Sequence, residues 1–257
     1  MTRPSAREAV SDALVLAERG LLETRRKPAL LVFTFVEPVI LILIFRFAFG
    51  GAIRTPNGSY VNFLMPGILV LTTIFGAIVT GIGLSEDLSK GIVDRLRSLP
   101  NPRSAVLVGR TLSDLARNVV SVFLVLLVGF VVGFDPTQSV LRILAAIALL
   151  LAFAYVFSWI AATIGLLVRD PETAQGAGFV WVFPLTFVSS AFVPTQTMPA
   201  GVRALAEVNP VTLCVNAVRD LTIGGHAAPA VLGTLACLGG LLLVFVPFAV
   251  SRYRALQ

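Results

Sequence analysis

The chain has 257 residues, of which 56% are apolar and only 13% are charged, whereas an ordinary soluble domain carries about 25% charged residues. This composition excludes a typical soluble globular protein and favours a protein that spans a membrane. The formal net charge is +6, and in such a chain we interpret the basic excess as contacts with anionic lipid, with no nucleic acid as partner.

The amino-terminal residues 1–27 predict an amphipathic helix. Ser5 with Glu8 three residues later has the spacing of a capping box, and Val10, Leu14 and Leu21 share one apolar face. We expect this helix to lie in the cytoplasmic membrane interface. An ordinary juxtamembrane helix without a mechanical role is an equal alternative.

Six apolar runs follow, each near the roughly 20 residues that cross a bilayer core. They predict an all-α polytopic membrane protein with a six-span domain over residues 28–250 and a short cytoplasmic tail, 251–257. The fifth run is short and contains Pro184, so five spans are the alternative. The runs are Pro28–Phe49, Val61–Ser85, Asp114–Phe134, Ile143–Val168, Ala177–Pro194 and Pro229–Val250.

Basic residues predict the orientation, because cytoplasmic loops collect Lys and Arg. They concentrate before the first run, in the polar segment 86–117 and at the carboxyl terminus. Both termini and the segment 86–117 are therefore expected in the cytoplasm. The preference for arginine over lysine is typical of a GC-rich bacterial genome, so we expect the bacterial cell (inner) membrane.

The segment 194–228 is then extracellular, yet it is rich in apolar residues. Val202–Glu207 and Val211–Ile223 predict short helices, the second ending at Gly224 and Gly225. Such pieces would dip into the membrane as re-entrant helices. A gate over a translocation path and simple packing of loop helices are both consistent with this pattern.

Two charged residues fall within the first run. Glu37 lies about 14 Å into it, where an ionisable group is costly and faces protein or water. A role in transport or gating and a structural hydrogen bond near Pro38 are both open. Arg46 lies on the opposite helix face, roughly 13 Å further along the axis, and is expected to reach the outer headgroups.

The sequence offers no site for chemistry of its own. It contains no G-x-x-x-x-G-K-[ST] phosphate loop, a single histidine, His226, and two cysteines, Cys214 and Cys237. These residues predict no nucleotide site, no metal site and no catalytic group in this chain.

Four motifs together resemble the permease subunits of ABC-2 type exporters, especially the daunorubicin/doxorubicin-resistance branch. They are DLSKGIVDRLRSLPNPRSAVLVGR after the second run, E-P at 37–38 with FAFGG at 47–51, YVNFLMPG at 60–67, and S-S-A-F-V-P…N-P-V-T…R between 189 and 219. The similarity runs nearly end to end. Arg46 departs from it, because an uncharged residue is expected there in many relatives.

The resemblance implies the ABC-2 permease fold, with a second permease copy, a homodimer being expected, and separate ATPase subunits that hold ATP and Mg. It implies export of hydrophobic or amphipathic cargo, such as a drug, an antibiotic or a lipid, with a polysaccharide as the alternative. Candidate pathway or gate residues are Glu37, Arg46, Phe192 and Asn209.

The family's coupling helix, which docks on the ATPase, corresponds to Lys90–Arg103. Its apolar strip would be seated in a groove of the ATPase, with polar contacts around it and a stop at Pro100. Contact of Arg95 and Arg97 with lipid headgroups is the alternative, and Arg110 and Arg117 are expected to face lipid as anchors. The strip is Ile92, Val93, Leu96 and Leu99, and its polar neighbours are Asp94, Arg95 and Arg97.

Two other functions fit a polytopic chain. An ion-gradient-driven secondary transporter would need several ionisable groups in the membrane, and the sequence shows chiefly Glu37. A membrane scaffold that recruits a soluble enzyme to the segment 86–117 would move no cargo.

Overall fold

The computed structural model describes residues 28–50, 59–91, 103–168 and 170–255. Within these ranges the chain forms eight α-helices and no strand. A π-helical turn, Phe45–Phe49, extends the first helix, and a 3-10 turn, Thr195–Thr197, precedes the sixth. The helices are α1 Pro28–Ile44, α2 Tyr60–Ser89, α3 Arg103–Val132, α4 Val140–Val168, α5 Pro171–Phe187, α6 Ala200–Val208, α7 Pro210–Thr222 and α8 Ala227–Ala255.

Four helices are long and apolar enough to cross a membrane: α2, the part of α3 from Asp114 to Val132, α4, and α8 from Ala227 to Tyr253. They coincide with the second, third, fourth and sixth apolar runs of the sequence. The first and fifth runs also form helices, but α1 and α5 have 17 residues each. The predicted interface helix, residues 1–27, and the predicted coupling residues 92–100 lie outside the described residues.

Helix α2 lies at the centre of the bundle. In its most apolar stretch 83% of the residues are buried, against 11% in the corresponding stretch of α8. The neighbours that cover it are α1, α3, α4, α5 and α7. Movement of α2 therefore displaces the surroundings of most other helices, whereas α8 lies at the periphery.

Glycines let α2 and α4 approach closely, as small residues do between membrane helices. A Cβ atom added to Gly81 would lie 2.6 Å from the carbonyl oxygen of Ala161, and one added to Gly165 would overlap the carbonyl of Gly81. The two backbones are thus in direct contact at this level, and any larger side chain would push the helices apart.

The two ends of α2 define the two ends of the bundle. Its first residue follows Ser59, and its last is followed by Lys90 as C-cap and by Gly91, which adopts the left-handed φ of 64°. Because α3 runs back beside α2, the turn after α3 returns to the start of α2, where the Asp135 backbone N–H donates to Asn62 Oδ1 at 3.0 Å. We call this end, which also holds α6 and α7, the α7 end, and the opposite one the Lys90 end.

Helix α5 ends earlier than the fifth apolar run. The run was predicted to extend to Pro194, but the helix stops at Phe187, three residues after the internal Pro184. The following residues turn across the α7 end, and a side chain from the start of α7 binds the freed carbonyl groups. The early end of α5 thus has a local cause.

Candidate functional site

The structure divides the predicted site residues by location. Glu37 on α1 and Arg46 on its π-helical turn have exposed side chains. Phe192 and Asn209 are buried at the α7 end, with exposed fractions of 7% and 6%. Phe192 and Asn209 are brought together around the end of α5, whereas Glu37 and Arg46 remain on the surface of the described part of the chain.

Asn209 holds two helices at once. Its Nδ2 donates to the carbonyl oxygens of Leu185 at 2.7 Å and Val188 at 2.6 Å, which belong to the last turn of α5 and its C-cap. Its Oδ1 accepts from the backbone N–H of Val211 at 2.8 Å and so caps α7. The Asn209 amide therefore forms hydrogen bonds with backbone groups at the end of α5 and at the start of α7. Because the last carbonyl groups of α5 have a donor, this helix can end in the buried interior of the protein.

Arg219 is the centre of a buried polar cluster, although the sequence singled it out only as the last residue of a motif. Its guanidinium makes four hydrogen bonds: Nε and Nη2 to the Phe63 carbonyl oxygen at 3.3 and 3.0 Å, Nη2 to the Ser190 carbonyl oxygen at 2.9 Å, and Nη1 to Asn216 Oδ1 at 2.9 Å. Its Cζ also lies 3.8 Å from the centroid of the Phe63 ring. We call these four residues the arginine cluster.

The charge of Arg219 persists despite its burial. Removal from water lowers the pKa of Arg219 to about 10, while the neighbouring Asp220 carboxylate opposes that shift. The group therefore remains a cation at neutral pH. Because four of its five N–H donors are engaged by protein acceptors, the cluster acts mainly as a structural contact that joins α2, α7 and the segment after α5.

The same cluster fastens the segment after α5 to α7. The Ser190 backbone N–H donates to Thr212 Oγ1 at 3.1 Å, and Ser190 Oγ donates to Asn216 Oδ1 at 2.8 Å. Tyr60, the first residue of α2, donates its hydroxyl to the Phe192 carbonyl oxygen at 3.2 Å. The α7 end is thus closed by polar contacts among α2, α7 and the segment that follows α5.

An aromatic row runs from the middle of α2 along α5 to this end. Neighbouring ring centroids are 4.4–6.3 Å apart, within the range of favourable aromatic pairs. The members on α5 are 36%, 45% and 58% exposed, rising toward the α7 end. The rings thus form a continuous row in which the three on α5 are exposed. The members are Phe75, Phe179, Phe183, Phe187, Phe192 and Phe45.

A buried charge pair lies on α3, on the side that faces α2. Arg117 Nη2 is 2.9 Å from Asp114 Oδ1, and the side chains are only 10% and 3% exposed. The same nitrogen donates to the Gly76 carbonyl oxygen of α2 at 3.1 Å. The prediction that Arg117 faces lipid is therefore wrong, because a carboxylate three residues earlier in the helix draws it into the bundle.

The second oxygen of the Asp114 carboxylate lacks such a contact in the described part of the chain. Asp114 Oδ2 is buried and has no hydrogen-bond partner among the described residues. In the same described part of the chain, no group of three His, Cys, Asp or Glu side chains is arranged to hold a metal ion. The polar groups of the bundle thus serve to join helices, and the exposed aromatic row is the feature suited to contact a ligand.

A bundle of apolar helices around a central α2 is consistent with a membrane permease. Sequence comparison identifies the protein family. The profile of the ABC-2 type transporter family matches residues 12–223. The chain belongs to this family and is a multi-pass membrane permease.

Individual relatives narrow the branch. The chain is 32% identical to the daunorubicin resistance ABC transporter permease protein DrrB1 of Streptomyces coeruleorubidus, over 98% of this chain and 89% of that protein. It is 24% identical to the probable doxorubicin resistance ABC transporter permease protein DrrC of Mycobacterium tuberculosis, over 98% and 91% of the two chains. A putative transport permease of Cyanophora paradoxa, ycf38, is 27% identical over 82% of this chain and 74% of its own length.

Proposed function

We propose that this permease exports hydrophobic or amphipathic cargo, drug-like or lipid, from the cytoplasm or the inner leaflet. A separate ATPase subunit, which holds ATP and Mg, supplies the energy, so the chain is a transport subunit and not an enzyme. The names of the Streptomyces and Mycobacterium relatives, which refer to daunorubicin and doxorubicin resistance, support a drug-like cargo.

The aromatic row is the observation that carries the proposal. Phe183 and Phe187 stack on one another at 5.6 Å and are 45% and 58% exposed, so each ring has free surface for a flat apolar molecule. Phenyl side chains provide no hydrogen-bonding group, whereas a polysaccharide would need donors and acceptors along its path. The row thus offers the apolar contact surface that an amphipathic cargo needs.

A six-span fold and a second permease copy complete the proposed pathway. Helices α1 and α5, with 17 residues, rise about 26 Å, close to the roughly 30 Å of a bilayer core. Exposed apolar side chains on this side include Phe47, on the π-helical turn after α1, at 78%, and Val180, on α5, at 76%. A second copy that faces this side would enclose the aromatic row between two chains, in a homodimer.

The ATPase is proposed to dock at the Lys90 end, in the cytoplasm. The coupling residues Ile92–Pro100 follow the end of the central α2 and precede α3. A push on this connection would be transmitted by α2 to most of the bundle, in a rigid-body coupling. We propose that the permease lies in the bacterial inner membrane with both termini on the same, cytoplasmic side. The segment 194–228 is proposed to lie on the outer side as a re-entrant segment.

The candidate gate is proposed at the α7 end of the row. Phe192 stacks on Phe45 at 4.4 Å, next to Arg46 at the outer surface. Asn209 positions the segment that carries Phe192 through its bonds to α5. Glu37, exposed on α1, is proposed to contact the cationic part of an amphipathic cargo.

The experiment uses inverted vesicles that contain the permease and its ATPase, with doxorubicin as the probe. ATP should drive uptake into the vesicles, and Phe183→Ala with Phe187→Ala should reduce it severalfold. Phe248→Ala is the matched control, because Phe248 is an exposed aromatic residue of α8 outside the row. Equal losses in both variants would remove the row from the pathway.

A second experiment tests the ion-gradient alternative. Asp114, in the buried pair with Arg117, is the candidate proton-binding residue for that mechanism. Vesicles without the ATPase receive a proton gradient and no ATP. Uptake under these conditions, abolished by Asp114→Asn, would replace the ATP-driven mechanism. Intact complexes that hydrolyse ATP but move none of a panel of amphipathic probes would support the scaffold alternative.

A further inference from the structure

An apolar pocket opens sideways between α3 and α4, near the α7 end and away from the aromatic row. Its volume is about 230 Å³. Buried side chains of α2, α4 and α7 form its floor, among them Leu69, Leu150 and Val218, while Phe123, Leu127 and Phe130 of α3 are 52–67% exposed at its mouth. We call this cavity the lateral pocket.

The lining of the lateral pocket suits hydrocarbon. Its one polar side chain, Thr222, donates its hydroxyl to the Val218 carbonyl oxygen at 2.8 Å and is thereby satisfied within its own helix. A ligand finds no further hydrogen-bonding side chain in this lining. The volume also lies below the roughly 300–1,000 Å³ typical of sites for drug-sized molecules, so a single flexible chain fits better than a ring system.

A positive charge lies at one end of the same pocket. Pro136 and Ile143 both line it, and the turn between them carries Gln138 and Arg142. The Gln138 backbone N–H donates to the Thr222 carbonyl oxygen at 3.3 Å, which fixes this turn against the pocket floor. Arg142 is exposed in the first turn of α4, one residue before the lining residue Ile143, so this cation lies near the polar end of the cavity.

Within the described part of the chain, no carboxylate forms a salt bridge with Arg142. Among the described residues the bond recorded for Arg142 is a donation to Gln138 Oε1, a neutral amide. The amino terminus of α4 adds positive potential here, since its first intrahelical bond is from Ile143 N–H to the Ser139 carbonyl oxygen. An anionic group beside Arg142 would meet these two favourable contributions, against the exposed carboxylate of Asp135 on the same turn.

The geometry follows the layers of a membrane. Along α4 the lining runs from Ile143 to Leu150, about 10 Å from the polar turn toward the bilayer centre. An amphiphile with its headgroup beside Arg142 would place an acyl chain along the pocket floor. The exposed phenylalanine and leucine side chains at the mouth open the pocket to surrounding lipid.

We propose that the lateral pocket and Arg142 form a binding site for an anionic phospholipid, whose acyl chain fills the cavity and whose phosphate pairs with the guanidinium. The site does not depend on the exported cargo or on the ATPase. Its occupant would fill the gap between α3 and α4 and hold the turn that supports α7.

The test titrates the purified full-length chain in detergent with phosphatidylglycerol and with phosphatidylcholine of the same acyl chains, and counts bound lipids by native mass spectrometry. Wild type should prefer phosphatidylglycerol. Arg142→Gln should weaken phosphatidylglycerol binding roughly fivefold to tenfold, as expected for one lost charge-assisted hydrogen bond, and should weaken phosphatidylcholine less, because choline already balances the phosphate of that lipid. Arg203→Gln, an exposed arginine of α6, is the matched control.

Filling the cavity tests the acyl-chain half of the site. Ala146→Leu, which adds volume to a buried wall residue, should weaken both lipids, whereas Ala236→Leu on the exposed face of α8 should weaken neither. If Ala146→Leu does not fold, Leu127→Trp at the exposed mouth obstructs the same cavity. Equal affinity for the two lipids in wild type, or no effect of the filled cavity, overturns the proposal.

Two other occupants give distinct results. Displacement of phosphatidylglycerol by doxorubicin, lost in Ala146→Leu, would make the pocket a cargo site. Conversion of a two-copy assembly to one copy by the same variant would make it a contact between chains. Either outcome overturns the lipid proposal and leaves the proposed export function to be decided by the vesicle assay.

Discussion

Arg219 and Phe63 are joined twice: the guanidinium donates to the Phe63 carbonyl oxygen at 3.0 Å and lies over the ring of the same residue at 3.8 Å. The two residues are 156 positions apart in the chain. This contact fastens α7 to the first turn of α2 and makes the closed end of the bundle sensitive to a single side chain.

We expect Arg219→Lys to destabilise the protein by about 2–3 kcal/mol, because an ammonium cannot reproduce the planar fork that serves Phe63 and Ser190 together. Thermal unfolding in detergent measures the loss. Arg203→Lys is the control, since Arg203 pairs with Glu207 on the surface of α6 and should change stability by less than about 0.5 kcal/mol. A wild-type midpoint for Arg219→Lys would contradict the assigned role.

Two substitutions at Asn209 separate its functions. Asn209→Asp keeps an acceptor for the Val211 N–H but loses the donor to Leu185 and Val188, and Asn209→Ala loses both. We expect both to lower stability by roughly 2 kcal/mol or more, since buried carbonyls lose their donor in each. If Asn209→Asp matched wild type, capping alone would explain the residue.

The Asp114–Arg117 pair predicts a non-additive result. Removing either charge leaves the other buried, so Asp114→Leu and Arg117→Met should each cost about 3 kcal/mol. The double variant should recover much of this loss, because no uncompensated charge remains. A double-mutant cycle on unfolding in detergent decides this, and strictly additive losses would show that the pair does not interact.

Glycines at two helix positions should respond oppositely to alanine. Gly81→Ala places a Cβ atom 2.6 Å from the Ala161 carbonyl oxygen and should destabilise the α2–α4 contact, whereas Gly176 of α5 has no neighbour within 4 Å of such an atom. Gly176→Ala should therefore be neutral or stabilise by up to about 1 kcal/mol through helix propensity. The comparison of their unfolding midpoints checks the packing, and equal shifts would contradict it.

The start of α5 predicts a pH effect. Asp170 Oδ2 accepts from Thr173 Oγ1 and from the Thr173 backbone N–H, and these bonds lower the pKa of the carboxyl below its usual value. Stabilisation by the carboxylate is therefore present at neutral pH and lost as pH falls through the lowered pKa. Asp170→Asn, a neutral cap, should show a weaker loss between pH 5 and pH 3 in thermal unfolding. Identical pH profiles would contradict the assignment.

Much of the fold could be predicted from the apolar runs. The long helices α2, α4 and α8 follow directly from them, and the predicted helix Val211–Ile223 is found at Pro210–Thr222, ending before Gly224 and Gly225 with φ of 114° and 153°. Local composition decides these features, and so they are visible in one sequence.

The joints between helices could not be predicted in this way. Arg219 was noted only as the last residue of a motif, because its partners Phe63 and Ser190 lie far away in the chain and accept through backbone carbonyls, which carry no sequence signal. Arg117 could have been recognised, since Asp114 precedes it by three residues, on the same helix face. The lateral pocket depends on the three-dimensional approach of α2, α3, α4 and α7 and has no counterpart in the linear pattern.

The long separation between Phe63 and Arg219 also bears on how the protein is synthesised. Lipid tails are as apolar as leucine, so the newly inserted α2 gains little by leaving lipid for other helices, and its assembly depends on close packing and hydrogen bonds. Those partners, α4 and α7, emerge from the ribosome only after α2 is already in the membrane. The contact between α2 and Arg219 therefore forms only when the chain is nearly finished, and a product truncated before Arg219 lacks the hydrogen bonds that close the bundle.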